Sequence, residues 1–339
     1  MKLEIIYQNF VNTYKEGYKR ALFYPEFLRL RKRNLTISEI EEKIEYKVPK
    51  STLYFWSYNK IPLAFKDFKG LKRTFSNRDV EDLALIIGHI LGDGGISKMK
   101  LLHYCNTENF LINEFQTVMK KVFNTEARIR KEPSGIMRLR YGRKFSRALV
   151  SIFGKFAGEE NKKITPQINK MPLKWKAKLL QALYDDDGSV PKTENYVSLR
   201  QKDEDIILWV KETLKEMDIN SGLGKDNSGW LLRIAGYKNL LEFRNKVNFS
   251  LGYRKQFQLD RIIKKIKFPH WKTKNKIIEF LRLGVKNRKE IAKTLKIQKG
   301  VIYGHLHGWK RHDRKSNFGL VDLGIVKVKK IRRINFYYL

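Results

Sequence analysis

Two nine-residue segments share one pattern: residues 86–94 read IIGHILGDG, and residues 180–188 read LQALYDDDG. Each is a largely apolar run that ends in Asp-Gly, which predicts a helix followed by a tight turn. Gly88 and Ala182 hold the same place in the two segments. Small residues on one helix face let a second helix backbone approach closely. We therefore predict that the two helices pack face to face and bring Asp93 and Asp187 together at one end.

The meeting of two carboxylates at helix C-termini is electrostatically unfavourable, because each repels the other and the helix dipoles. A cation between them would relieve the repulsion, and Mg²⁺ prefers carboxylates, waters and substrate phosphates. A single Asp-Gly after a helix is also typical of an ordinary C-cap, in which glycine supplies left-handed backbone. Two equivalent copies favour the metal site.

Both segments resemble the LAGLIDADG motif, and the chain resembles a single-chain, two-repeat LAGLIDADG homing endonuclease. The resemblance implies an α+β fold of two pseudo-symmetric αββαββα repeats that form a DNA-binding saddle. It also implies that Asp93 and Asp187 bind Mg²⁺ and that the backbone carbonyls of Gly92 and Asp186 complete the metal shell. The sequence departs from the motif at His89, Leu91, Gln181 and Asp186, while the final acidic residue and glycine are present in both copies.

The composition indicates a polyanionic partner. The chain has 339 residues, with 71 Lys and Arg against 35 Asp and Glu, a formal charge of +36. Double-stranded DNA is the first expectation, with RNA also compatible, because neutralising phosphates supplies sequence-independent affinity. No segment reaches the roughly 20 apolar residues of a membrane span. A single cysteine, Cys105, excludes an internal disulfide, which favours an intracellular protein. We also expect the protein to be nucleoid-associated and monomeric.

Four regions are predicted: a helical helix-turn-helix-like region at 1–75, repeats at 76–170 and 171–260, and a winged-helix-like domain at 261–339. In the first, Thr36 and Glu39 have the spacing of a capping box. The last holds 23 Lys and Arg against 4 Asp and Glu. Alternating apolar and basic residues at 320–329 and 331–338 predict the strands of its wing.

The two terminal regions contain matching segments, residues 48–54 (VPKSTLY) and 297–303 (IQKGVIY). Each predicts the start of a recognition helix that would enter the major groove. The nucleic-acid contacts expected there are Lys50, Ser51, Thr52, Lys299, Tyr303 and His305. We expect His307 and His312 to contact phosphates or bases rather than a metal.

Basic residues alternate along the predicted strands of both repeats, so they share one face of each sheet. Like charges opposite each other across a hairpin destabilise it unless an anion is present. This pattern predicts a DNA-facing surface made of Arg128, Arg130, Arg138, Arg140, Arg200, Lys202 and Arg233.

The family resemblance also implies a polar and a basic residue near each carboxylate. Alignment of the two halves at their strand-helix junctions gives Asn106 and Gln201 as the polar pair. The resemblance implies a basic residue near the end of each repeat, for which we expect Lys163 and Lys255. Such a lysine could steady a leaving charge or polarise water.

Three functions fit these features. The first is a Mg²⁺-dependent, site-specific double-strand DNA endonuclease of the LAGLIDADG type. The second is a non-catalytic DNA-binding transcriptional regulator, similar to WhiA, that keeps the fold as a docking surface. The third is an RNA maturase. Retention of both Asp93 and Asp187 favours the endonuclease, because a pure binder would avoid two uncompensated carboxylates.

Overall fold

The computed structural model describes residues 3–44, 48–58, 60–158, 161–311, 314–317, 319–332 and 334–339. Residues 1–259 and 260–339 form two compact units. His312, which is predicted to contact phosphates or bases, lies outside the described residues. Within the ranges described, no helix has the length and apolar character needed to cross a membrane.

The first unit begins with short helices around an aromatic core that contains Tyr24, Phe27, Leu53 and Trp56. The predicted capping box at Thr36 is present, with Glu39 as its partner. The elements are β1 (Leu3–Glu4), α1 (Tyr7–Val11), a 3-10 helix (Glu16–Phe23), α2 (Tyr24–Arg31), α3 (Ile37–Lys43), α4 (Lys50–Ser57), α5 (Leu63–Lys69) and β2 (Thr74–Phe75).

Two copies of an αββαββα unit follow, as the sequence predicts. The first consists of α6 (Asn77–Leu91), β3 (Gly94–Ile96), β4 (Leu102–Asn106), α7 (Asn109–Phe123), β5 (Arg128–Lys131), β6 (Met137–Tyr141) and α8 (Arg143–Phe153). After a connecting helix, α9 (Pro166–Asn169), the second consists of α10 (Leu173–Asp187), β7 (Gly188–Ser189), β8 (Tyr196–Gln201), α11 (Glu204–Glu216), β9 (Gly222–Asp226), β10 (Gly229–Ala235) and α12 (Tyr237–Lys246).

The two sheets have the same antiparallel topology. Their strand orders are β3-β4-β6-β5 and β7-β8-β10-β9. In β4 and β6, Leu102, Tyr104, Leu139 and Tyr141 are buried, and Phe115 of α7 stacks on Tyr104 with 4.5 Å between ring centroids. One face of the sheet therefore packs against helices, and the alternate residues form the opposite face.

Helices α6 and α10 pack face to face in the centre of the unit. A Cβ atom added to Gly88 would lie 2.3 Å from the carbonyl oxygen of Leu179 and 2.7 Å from Cβ of Ala182. The predicted contact between small residues is confirmed. Pro172 is the N-cap of α10.

The second unit begins within the long helix α13 (Arg254–Arg282). Its core includes Ile277, Ile291, Ile302 and Tyr337. The elements are β11 (Lys286–Asn287), α14 (Arg288–Leu295), α15 (Lys299–His307), β12 (Trp309–Arg311), β13 (Arg314–Asn317), β14 (Lys327–Ile331) and β15 (Ile334–Tyr338).

The prediction of one strand over residues 320–329 is wrong for its first part. Residues 320–326 form turns, and Leu320 and Val326 enter the core of the unit. Alternation alone predicts a strand, but here the apolar side chains are buried by a folded-back loop. The paired strands are β14 and β15, with β11 on the other side of β15.

Candidate active site

The two acidic residues that end the motif segments occupy equivalent positions. Asp93 lies between α6 and β3, and Asp187 is the last residue of α10. Burial, and after it the negative charge of Asp93, raises the pKa of Asp187 to about 7. Burial, and after it the negative charge of Asp186, raises the pKa of Asp93 to about 6. The carboxylates thus converge closely enough to repel each other.

One amide side chain contacts each carboxylate. Nδ2 of Asn106 donates a hydrogen bond to Oδ2 of Asp93 at 2.8 Å, and Nε2 of Gln201 donates to Oδ2 of Asp187 at 2.5 Å. Asn106 ends β4, and Gln201 ends β8. The structure therefore places both predicted polar residues beside the carboxylates, in matching positions of the two repeats.

The glycine that follows the second acidic residue is required by close contact rather than by left-handed backbone. Gly188 has φ −76° and ψ 157°, which any residue can adopt. A Cβ atom there would lie 2.3 Å from the carbonyl oxygen of Tyr184 in the last turn of α10. The ordinary C-cap interpretation, with a left-handed glycine, does not describe this turn.

Asp186 turns its side chain towards the first repeat. Its carboxylate accepts a hydrogen bond from the hydroxyl of Tyr104 at 2.7 Å and lies 3.1 Å from Nδ1 of His89. The backbone N–H of Asp93 is 3.4 Å from Oδ2 of Asp186. This carboxylate fills the space that a side chain at Gly92 would need, since a Cβ there would lie 2.6 Å from Oδ2 of Asp186.

Two lysines contact the C-terminal ends of the motif helices. Nζ of Lys162 donates a hydrogen bond to the carbonyl oxygen of Gly92. Nζ of Lys255 donates to the carbonyl oxygens of Asp185 at 2.5 Å and Asp186 at 3.3 Å. Burial lowers the pKa of both amines, while neighbouring carboxylates oppose that shift.

The structure corrects one of the two predicted basic residues. Lys255 lies at the site, but Lys163 is exposed, and its backbone N–H donates to the carbonyl oxygen of Phe156. The preceding residue, Lys162, instead reaches Gly92 and is attracted by Asp187 and Asp93. Adjacent residues in extended chain point to opposite sides, and the pair Lys162-Lys163 offers no sequence signal to choose between them.

A family model described as a LAGLIDADG-like domain matches residues 174–248. The chain contains a LAGLIDADG-like domain. No curated protein matches the chain. Among solved structures, the chain is similar to the homing endonuclease I-DmoI in complex with DNA and Ca, with 16% identity and a TM-score of 0.43, covering 55% of this chain and 100% of that one.

The chain is also similar to two further solved structures. Full-length DUF199/WhiA from Thermatoga maritima has 17% identity and a TM-score of 0.40, covering 68% of this chain and 89% of that one. The homing endonuclease I-WcaI bound to its DNA recognition sequence has 19% identity and a TM-score of 0.39, covering 50% of this chain and 80% of that one.

The LAGLIDADG-like domain contributes Asp187 to the site, and the preceding repeat contributes Asp93. Within the described ranges, no group of three or more His, Cys, Asp or Glu side chains is arranged as a metal site. Two carboxylates suit Mg²⁺, which binds one or two of them together with waters and substrate phosphates. The carbonyl groups of Gly92 and Asp186, predicted as metal ligands, each accept a hydrogen bond from a lysine in this structure.

The predicted arginines line the face of the first sheet opposite its helices. Arg128 pairs with Arg140 across the β5–β6 hairpin, and Arg130 pairs with Arg138. Arg138 also forms an ion pair with Glu132 at 2.9 Å. The like-charge register predicted from sequence is therefore present in the folded hairpin.

The sheet of the LAGLIDADG-like domain carries fewer cations on that face. Arg233 is exposed on β10, and Lys202 is exposed directly after β8. Arg200 donates to Asp226 at 2.5 Å. On the edge strand β9, Gly222 and Gly224 pair with Arg233 and Leu231, so this strand offers no basic side chain at those two positions.

The matching terminal segments adopt matching structures. Lys50 and Lys299 each start a helix, α4 and α15. Leu53 and Ile302 are fully buried, and Tyr54 and Tyr303 are 46% and 47% exposed. Ser51 is also exposed, and Thr52 is partly exposed.

Histidines of α15 are less accessible than predicted. His305 is only 7% exposed, because the chain after the helix folds back and the N–H of Leu320 bonds to its carbonyl oxygen. Nε2 of His307 lies 2.8 Å from the hydroxyl of Tyr337. The predicted nucleic-acid contact by His305 is therefore incorrect, and His307 packs within its own unit.

Proposed function

We propose that the chain is a Mg²⁺-dependent endonuclease that cuts double-stranded DNA at a specific site. The observation that supports the proposal is the paired arrangement of Asp93 with Asn106 and Asp187 with Gln201. Each carboxylate is held by an amide from the neighbouring strand of its own repeat. The two pairs meet at a helix interface. One pair would serve each strand of a duplex, because both strands must be hydrolysed.

The roles of the side chains follow from their positions. Asp93 and Asp187 would hold Mg²⁺, which when bound lowers the pKa of a water ligand and neutralises charge on the phosphate. Asn106 and Gln201 fix the orientation of the carboxylates before substrate binds. Lys162 and Lys255 bring positive charge to the same place, where it favours developing negative charge on the phosphodiester.

The arginines of the two sheets would position the duplex. Strand ribbons fit a major groove, and arginine offers a fork of donors that suits guanine edges and phosphates. The exposed lysines and tyrosines that begin α4 and α15 would extend the contact with DNA beyond the sheets. Lys50, Ser51, Thr52, Lys299 and Tyr303 remain the proposed contacts there, without His305.

The test is cleavage of a supercoiled plasmid that carries the genomic flank of the gene. With Mg²⁺ we expect a linear product from the wild-type protein and none from Asp93→Asn. Glu212→Gln is the control, because Glu212 is exposed, faces the exposed Lys215 of the same helix at 4.0 Å and lies outside the site. No cutting by the wild type, or cutting by Asp93→Asn at the wild-type rate, would remove the nuclease assignment.

A second candidate is a non-catalytic DNA-binding regulator. It is favoured by the lysines, since Lys162 and Lys255 partly compensate the carboxylates without a metal. This function predicts tight binding of duplex DNA, no product with Mg²⁺, and unchanged binding in Asp93→Asn. An RNA maturase, the third candidate, predicts tighter binding to a structured intron RNA than to duplex DNA.

A further inference from the structure

A cationic groove lies outside the candidate active site, between the N-terminal helices and the first repeat. Its volume is about 540 Å³, and its walls come from the segment after α1, the β3–β4 turn, helix α8 and the segment after α8. Five of the described lining residues are basic and none is acidic: Lys15, Lys98, Lys100, Arg147 and Lys155. We infer that this groove binds the phosphodiester backbone of DNA.

The inner wall of the groove is rigidly built. The guanidinium of Arg147 lies 3.7 Å from the centre of the Tyr14 ring and donates a hydrogen bond to the carbonyl oxygen of Thr13. The hydroxyl of Tyr14 donates to Asp67 at 2.6 Å. These contacts fasten α8 to the N-terminal helices, so the groove is preformed and a ligand need not order it.

The β3–β4 turn presents Lys100 in an unfavourable backbone conformation. Its φ is 61°, a left-handed value that glycine or asparagine adopts more easily than lysine. The other residues of the first unit with positive φ, apart from glycines, are Asn or Asp: Asn34, Asn124, Asp218 and Asn248. Lys296 and Arg332 of the second unit also have left-handed φ values, 52° each, so the role of Lys100 is inferred from its place at the edge of the groove and not from its backbone conformation.

The turn is held by hydrogen bonds on both sides of this lysine. Its N–H bonds to the carbonyl oxygen of Ser97 at 2.7 Å, and its own carbonyl oxygen accepts from the hydroxyl of Ser146 on α8. The side chain of Lys100 is exposed. The backbone is thus fixed while the ammonium group faces solvent at the edge of the groove.

The position of the groove fits the backbone of a duplex bound at the candidate active site. Ile96 lines the groove, and strand β3 connects it to Asp93. At about 3.3 Å per residue, three strand residues span about 10 Å, the length of about three base pairs. A duplex centred on the carboxylates would extend past the groove.

The corresponding turn of the second repeat is less basic than the β3–β4 turn. Residues 190–195 read VPKTEN, with one lysine and one glutamate. The walls of the groove come from the N-terminal helices and the first repeat. We therefore expect it to add contacts on one side of the DNA site only.

The inference depends on the DNA-binding part of the proposed function, not on cleavage, and the experiment separates the two. Affinity for a duplex of about 40 base pairs is measured by fluorescence anisotropy in EDTA over a range of salt concentrations. The variants are Lys100→Gly, Lys155→Ala and the double variant. Each lost phosphate contact should weaken binding about eightfold at about 0.1 M salt and reduce the slope of log K against log salt by about 0.9.

Three control variants match the changes. Asn124→Gly makes the same left-handed-to-glycine change at the end of α7 without removing a charge. Lys120→Ala and Lys215→Ala each remove one exposed lysine, on α7 and α11, the helices on the other face of the sheets. All three should bind DNA as the wild type does. Lys100→Gly should melt at the wild-type temperature or above it, because glycine accepts the backbone.

The results decide between clear alternatives. Groove variants that bind DNA as tightly as the controls would overturn the inference. If the groove variants lose affinity for DNA but the wild type cuts no DNA, the nuclease assignment is wrong and the inference about the groove is supported. If the wild type binds no duplex, both fail.

Discussion

Nδ1 of His89 lies 3.1 Å from Oδ2 of Asp186, and this contact joins the two motif helices. Neither side chain is exposed. On the other side of the ring, Nε2 is 3.4 Å from Oε2 of Glu114. Burial alone would lower the pKa of His89, but Asp186 and Glu114 raise it to about 10. One imidazolium therefore compensates two carboxylates next to the candidate active site.

Replacement of His89 should destabilise the protein strongly. His89→Leu leaves Asp186 and Glu114 without their positive partner in a buried place, and breaking such a contact costs about 3–5 kcal/mol. The free energy of unfolding from urea denaturation at neutral pH measures the loss. A loss below about 1 kcal/mol would mean that the ring is not a charged partner.

The protonation of His89 gives an independent check. Its folded-state pKa is above the ordinary value of 6.5, so the stability it supplies is complete below pH 6.5 and is lost as pH rises towards 10. In NMR spectra, the ring Cε1–H resonance, assigned by its absence in His89→Leu, should stay in the protonated position up to pH 9 or so. Titration near 6.5 would contradict the charged arrangement.

Removal of one carboxylate should relieve repulsion and abolish the response to metal. In EDTA we expect Asp187→Asn to melt a few degrees above the wild type, because Asp187 repels Asp93 and Asp186. Mg²⁺ should raise the melting temperature of the wild type but not of this variant. Glu212→Gln should keep the wild-type response.

The same variant should bind DNA as tightly as the wild type or more tightly, since it loses a negative charge near the phosphates. A large loss of DNA affinity would show that Asp187 is structural. If Mg²⁺ still raises the melting temperature of Asp187→Asn, the cation binds elsewhere.

Variants of the two adjacent lysines, Lys162 and Lys163, should differ in the rate at which they cleave DNA. Lys162→Met removes the ammonium that contacts Gly92 and attracts both carboxylates, and we expect cleavage to slow about a hundredfold. Lys163→Met alters only an exposed neighbour and should cut at nearly the wild-type rate. The measurement is the single-turnover rate on one DNA substrate. The opposite order would restore Lys163 as the basic residue of the site.

The arginine hairpin should show opposite effects on stability and on DNA binding. Arg128→Gln removes a like-charge pair with Arg140, which costs the free protein about 0.2–1 kcal/mol. We expect an equal or higher melting temperature, weaker DNA binding and a shallower salt dependence. Lys120→Ala on the helix side should leave binding unchanged. Weaker binding together with a lower melting temperature would indicate a folding defect instead.

The sequence determined those features that local periodicity encodes. Apolar segments that end in Asp-Gly predicted two helices and their contact at Gly88 and Ala182. Alternation predicted that Arg128, Arg130, Arg138 and Arg140 share one face of the sheet, because neighbouring strand residues point to opposite faces. Alignment of the two repeats predicted Asn106 and Gln201, because a polar side chain at the same position in both repeats supports each assignment.

The tertiary structure alone decided which charges meet. His89, Glu114 and Asp186 come from three different helices, and no spacing in the sequence relates them. The choice of Lys162 over Lys163 depends on which side of an extended segment faces Gly92, and the burial of His305 depends on the loop that returns over α15. Sequence patterns fix the face of an element, whereas the partners across that face are set by packing between elements distant along the chain.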